Sequence, residues 1–139
     1  MDKLVLDTNV LISGTYWTGA SHQVLRLIDQ KKARLILTPA IISEYFNVIN
    51  RAEIIVKTTE QQKNAAKAAA RKLIQNSDII QPTTKISAIL EDPEDNKIIE
   101  AAHAVKADYI ITQDHHLLKI KRYQSIAIIT PEQYLQSRR

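Results

Sequence analysis

Lys3-Leu4-Val5-Leu6-Asp7 decides the fold. A largely apolar run stops abruptly at an acid, which is how a strand buried on both faces reads. Arg34 to Leu37, ending at Thr38, has the same form. So do Asp108 to Thr112, built on Tyr109-Ile110-Ile111, and Ala127 to Thr130. Ser77 to Gln81 reads as a short strand or edge segment closed by Pro82. Helical spacing fills the gaps. Ala20 to Gln30 carries Val24, Leu25, Leu27 and Ile28 on one stripe. Pro39 to Arg51 opens with proline at a tolerant position and Thr38 as its cap. Glu60 to Gln75 is a long alanine- and lysine-rich helix. Asp92-Pro93-Glu94 starts a helix that runs to about Lys106, with Ile98, Ile99, Ala102 and Val105 inward. Pro131 to Gln136 closes the chain. Strands alternating with helices predict an α/β fold, a three-layer αβα arrangement around a mainly parallel twisted sheet of about five strands.

The composition narrows the function classes. With 139 residues, 45% hydrophobic and 24% charged, residues 1–139 form a single domain with a real core. There is no cysteine, so disulfides and thiolate metal sites are excluded. The four histidines form no His-Glu-x-x-His pattern. Gly14 and Gly19 are the only glycines, so neither a dinucleotide fingerprint nor a P-loop exists. No apolar run approaches the ~20 residues of a membrane span, and the opening residues are too short and acidic for a signal peptide. A cytoplasmic location without membrane contact is the expectation. The net charge of +4 is mildly basic and suits a polyanionic partner without requiring one.

The acids carry the chemistry. Asp7 follows the first strand and Asp114 the one ending near Thr112, so in a parallel sheet both emerge on the carboxyl edge, where such sheets place their sites. Asp95 lies in the first turn of a helix. It reaches that edge only if it closely follows another strand's end, which Ile86 to Leu90 does not establish. Glu44 shares a helix face with Ile41, Val48 and Arg51, beside an apolar stripe of Ile42, Phe46 and Ile49. A glutamate so placed needs a cation, either an arginine or a metal. Each acid also has a plainer role: turn former, helix cap or surface ion pair. Carboxylates that converge repel one another and stay ionised together only beside a cation. All-oxygen ligands suit Mg²⁺ or Mn²⁺ rather than Zn²⁺.

Four segments together resemble a known family. They are Leu4-Val5-Leu6-Asp7-Thr8-Asn9-Val10-Leu11-Ile12-Ser13, Thr38-Pro39-Ala40-Ile41-Ile42-Ser43-Glu44-Tyr45, Glu91-Asp92-Pro93-Glu94-Asp95-Asn96, and Ala107-Asp108-Tyr109-Ile110-Ile111-Thr112-Gln113-Asp114-His115-His116-Leu117-Leu118. In order and spacing the chain is similar to the PIN-domain nucleases, in particular the prokaryotic toxin components of toxin–antitoxin pairs. The last segment departs from the usual pattern at Gln113, where members carry glycine.

The resemblance implies that Asp7, Glu44, Asp95 and Asp114 gather in one cleft and hold one or two Mg²⁺ or Mn²⁺ ions. It implies hydrolysis of RNA phosphodiester bonds. Asn9, Thr112 and Asp92 become supporting residues, the first two placed to hydrogen-bond the carboxylates or a phosphate. Lys119, Lys121, Arg122 and Arg51 are the expected RNA-binding rim. Tyr16 and Trp17, read as part of the loop after Asp7, are candidates for base stacking. His115 and His116 read as ordinary loop residues. The implied partners are RNA, a small antitoxin protein and a second copy of the chain, a dimer before any larger assembly. Two rival readings stand beside this one. The first is a non-catalytic PIN-type module that binds RNA or protein. The second is another α/β phosphotransfer enzyme, but a haloacid-dehalogenase-type phosphatase wants an aspartate where Asn9 stands.

Overall fold

A computed structural model describes residues 1–55, 59–86 and 93–138. Its strands are β1 (Asp2–Leu6), β2 (Ala33–Leu37), β3 (Ser77–Ile79), β4 (Tyr109–Ile111), β5 (Arg122–Tyr123) and β6 (Ile126–Ile129). They form one sheet in the order β3-β2-β1-β4-β6-β5. All neighbours pair in parallel except β5, which runs antiparallel to β6. The sheet therefore has six strands where about five are predicted. The extra strand is the two-residue β5, joined to β6 by a tight turn in which Gln124 has φ 53°. So short an edge strand has no periodicity to read.

The helices are α1 (Thr8–Tyr16), α2 (Ala20–Asp29), α3 (Pro39–Ile55), α4 (Glu60–Gln75), α5 (Pro93–Val105), α6 (His115–Leu118) and α7 (Pro131–Ser137). They flank the sheet, giving the predicted three-layer arrangement. None among the described residues is long and apolar enough to cross a membrane. The central strands are buried on both faces: Leu4, Val5, Leu6, Leu35, Ile36, Leu37, Ile110 and Ile111 are each 2% exposed or less. This is why they read as continuous apolar runs. Each such side chain contributes about 1.5–3 kcal/mol of hydrophobic stabilisation.

The register sets the site. Leu4 pairs with Tyr109 and Leu6 with Ile111, so β1 and β4 end level. The Asp7 amide extends this pairing by donating to the Ile111 carbonyl at 3.2 Å. Asp7 and the residues after Ile111 consequently leave the sheet side by side.

Two expectations are corrected and one open question is settled. The segment after Asp7 is helix α1, not a loop. Asp7 caps it, its Oδ1 accepting from the Val10 amide at 2.9 Å. Thr8, Asn9, Ser13, Gly14 and Thr15 are modest helix formers, which hid the helix. Tertiary packing holds it, with Val10 and Leu11 buried and Gly14 against α2. A Cβ on Gly14 would stand 2.6 Å from Leu25 Cδ1. Tyr16 ends the helix half-buried and Trp17 follows at 56% exposure.

The buried row of α3 is Ile41, Tyr45 and Ile49, while Ile42 and Phe46 are half-buried. Tyr45 sets this rotation: it is fully buried and shares a hydrogen bond with the Thr15 hydroxyl. Glu44 therefore flanks the core, with its side chain 42% exposed.

The question left open for Asp95 is settled by α5. This helix returns the chain from the carboxyl end of β3 to the start of β4, antiparallel to the strands. Its first turn, with Asp95, therefore lies at the carboxyl edge. Asp92 lies outside the described residues, as do 87–90 of the segment before it.

Candidate active site

Asp7 is the anchor. It is 7% exposed, and both its oxygens are engaged. Oδ1 accepts from the Val10 amide, and Oδ2 accepts from the Thr112 hydroxyl. Burial pushes its carboxyl above the ordinary 3.8, and the nearby Asp114 charge adds to the rise. The Thr112 hydroxyl and the Val10 and Asn9 amides oppose that shift by bonding to the charged form.

Thr112 links the two strand-end acids. Its fully buried hydroxyl donates to Asp7 and accepts from the Asp114 amide at 3.0 Å. One side chain thus fixes the spacing of Asp7 and the Asp114 backbone. Asp114 in turn caps α6, its Oδ1 accepting from the His116 amide at 2.9 Å. Gln113, between them, needs no glycine. Among the described residues the non-glycine positions with positive φ are Lys31, Lys106, Lys121 and Gln124. The Gln113 side chain donates to Glu132 at 3.2 Å.

Asp95 comes from the first turn of α5, 7% exposed. Glu44 comes from α3 and meets Arg51, two helical turns on, at 3.4 Å. Both partners are solvent-exposed, at 58% and 42%, so this pair contributes little to stability.

Asp7, Glu44, Asp95 and Asp114 line one cleft of about 190 Å³ with Thr8, Asn9, Ala40, Ile41, Lys97 and Ile98. Four acids from four separate segments therefore share one opening at the carboxyl edge of the sheet. They do not form a closed cage as they stand: among the described residues no three His, Cys, Asp or Glu side chains are close enough together to hold a metal ion. Local hydrogen bonds engage oxygens of Asp7 and Asp114, and an ion pair engages Glu44. The donor set is all oxygen, because His115 and His116 are exposed on α6 and do not line the cleft. This chemistry fits Mg²⁺ or Mn²⁺.

Lys119, Lys121, Arg122 and Arg51, the expected basic rim, are exposed and none lines the cleft itself, although Arg51 meets its Glu44. Arg122 pairs with Ala127, which is level with Tyr109, so it stands below the edge where the acids emerge. The cation that does line the cleft is Lys97, which the sequence reading passed over. Its position two residues after Asp95 was the available signal.

A profile of the PIN domain matches residues 3–116. No curated protein is significantly similar in sequence. Among solved structures, the crystal structure of PAE2754 from Pyrobaculum aerophilum superposes with a TM-score of 0.70. The match covers 98% of this chain and 94% of that one at 17% identity, a likeness of fold. The chain belongs to the PIN-domain family, whose members are generally nucleases.

Proposed function

We propose that this chain is a metal-dependent ribonuclease that hydrolyses RNA phosphodiester bonds, and that it serves as the toxin of a toxin–antitoxin pair. The observation that supports the first half most is the meeting of Asp7, Glu44, Asp95 and Asp114 in one cleft. These four would hold one or two Mg²⁺ or Mn²⁺ ions. Once bound, such ions offset phosphate charge and supply an activated water. Mg²⁺ keeps several waters and takes few protein ligands, so a loose ring of carboxylates suits it better than a tight cage.

The chain's own residues do the positioning. Thr112 holds the Asp7 carboxylate and the Asp114 backbone at a fixed spacing. The Asn9 backbone amide favours the charged form of Asp7, and Asn9 lines the cleft. Lys97, exposed on the cleft wall, is placed to take a phosphate oxygen of the substrate. Without a bound cation the four acids would repel that phosphate, so RNA and metal enter this site together.

The test is cleavage of a structured RNA panel by wild type, Asp7→Asn and Asp95→Asn, with Mg²⁺, with Mn²⁺ and with chelator. Wild type cuts only with metal, and both variants lose at least about a hundredfold in rate. Absence of metal-dependent cleavage would favour a non-cutting binding module. The toxin half rests on the resemblance of the motifs. Expression should arrest growth, and co-expression of a small protein encoded beside it should relieve the arrest. Growth unaffected by the wild-type chain would remove the toxin role and leave the nuclease role standing. A homodimer belongs to the same reading, and sedimentation decides it.

A further inference from the structure

The acidic cleft opens into a longer channel. Ala40 and Lys97 line both the cleft and a second cavity of about 250 Å³. Gln81, Thr83, Thr84 and Glu100 line that second cavity and also a third, of about 430 Å³, which reaches His103 and Lys106. The three adjoin one another in a row between α5 and residues 80–85, a groove leading from the acids along the helix. On the α5 wall, Lys97, Glu100 and His103 recur every third residue, and Lys106 follows just past the helix end at Val105, with φ 51°. Lys85, exposed, stands on the opposite wall.

The lining specifies its occupant. Lys85, Lys97 and Lys106 are cations, and Gln81, Thr83 and Thr84 supply amide and hydroxyl groups. Among the described residues Glu100 is the one acid lining the second and third cavities, and its Oε2 accepts from the Ile86 amide at 2.9 Å. Among the described residues no Phe, Tyr or Trp lines either cavity. His103 is already edge-on to the Tyr123 ring. Such walls bind phosphates and ribose hydroxyls and offer no stacking platform for bases. From Lys97 to Lys106 the rise is about 14 Å, roughly four stacked nucleotides at about 3.4 Å each. Double-stranded RNA is read across ~16 base pairs of broad minor groove, far beyond this channel.

We propose that this groove carries the single-stranded RNA flank of the scissile phosphate, gripped by its backbone and without strong base preference. The proposal rests on the ribonuclease reading for the choice of polyanion. The probe is a fluorescein-labelled ten-nucleotide oligouridylate, with oligoadenylate and a duplex of equal length beside it. Anisotropy gives Kd against salt at fixed Mg²⁺, in Asp7→Asn and, separately, Asp114→Asn backgrounds to prevent cleavage. Lys85→Gln with Lys106→Gln is compared with Lys31→Gln and Lys32→Gln, an equal charge change in the exposed turn before β2.

Removing two phosphate contacts should lower the salt slope by about 1.4 and weaken binding about 25-fold at 0.1 M salt. The control pair should stay within about twofold, being screened from the groove. Oligouridylate and oligoadenylate should bind alike, and the duplex more weakly. Equal effects of the two pairs, or no effect of the groove pair, would overturn the proposal. The second outcome is also what a groove reserved for a protein partner would give. A duplex bound as tightly as the single strand would overturn the single-strand assignment. Cleavage of the same RNA by wild type decides the ribonuclease reading separately, because the binding result stands whether or not the wild type cuts.

Discussion

Thr112→Val removes one oxygen atom and leaves shape almost unchanged. The hydroxyl it deletes is fully buried, donates to Asp7 Oδ2 and accepts from the Asp114 amide. Losing a hydrogen bond to a charged group costs about 2 kcal/mol. Stranding the Asp114 amide costs about 1 kcal/mol more, the low end of the range, because Asp114 is only half-buried. The sum, about 3 kcal/mol, corresponds to roughly 10 °C in Tm for a domain of this size. Thr112→Ser keeps the hydroxyl and should recover most of the loss. Urea unfolding of the metal-free protein gives the free energies directly. Thr112 acts through the acids, so the Val variant should also bind Mn²⁺ more weakly, which a purely structural defect elsewhere would not cause. A Val variant within about 0.5 kcal/mol of wild type would refute the linking role. So would a Ser variant as unstable as Val.

Four further outcomes follow from other contacts. Burial raises the Asp7 carboxyl above 3.8, so the folded chain holds that proton more tightly than the unfolded chain does. The associated stability is fully present below pH 3.8 and is lost as pH rises through the folded value. Asp7→Asn should therefore gain on metal-free wild type as pH rises through that window, measured by urea unfolding; a gap that narrows instead contradicts the burial argument. Gly14→Ala should lose about 1–3 kcal/mol, since its Cβ would press on Leu25 and the Ser21 carbonyl, and a neutral melting curve would rule out that close approach. Gln113→Gly should lower stability by about 0.5–1 kcal/mol through unfolded-state entropy, because no positive φ is relieved at 113; stabilisation would count against the assigned backbone. Arg51→Ala should change unfolding free energy by less than about 0.5 kcal/mol, as its partnership with Glu44 is solvent-exposed.

The sheet was legible because its central strands are buried on both faces, and such strands announce themselves as apolar runs. Asp7 and Asp114 were placed by that alone, since parallel strands that end level deliver their next residues to one edge. Asp95 was not, because its position depends on a connection that periodicity does not describe. Once α5 is seen to run back from β3 to β4, its first turn has nowhere else to lie. For Glu44 the apolar spacing implies a helix rotation that differs from the real one, while the Thr38–Tyr45 motif points to the same residue independently. Ile42 and Phe46 are as apolar as Ile41 and Tyr45, and tertiary packing, including the Tyr45–Thr15 hydrogen bond, distinguishes the two stripes. Helix α1 was hidden by weak formers that packing overrides, and β5 by being two residues long. The cationic expectation followed chain proximity to Asp114, whereas the fold places Lys97 in the cleft and turns Arg122 away.

Anomalous diffraction from crystals soaked in Mn²⁺ tests the acidic cleft most directly. The account predicts a peak in the cleft within ligand reach of Asp7 and Asp114, lost in Asp7→Asn crystals. Crystals that show no peak there, from protein that still cleaves RNA with Mn²⁺, would contradict it.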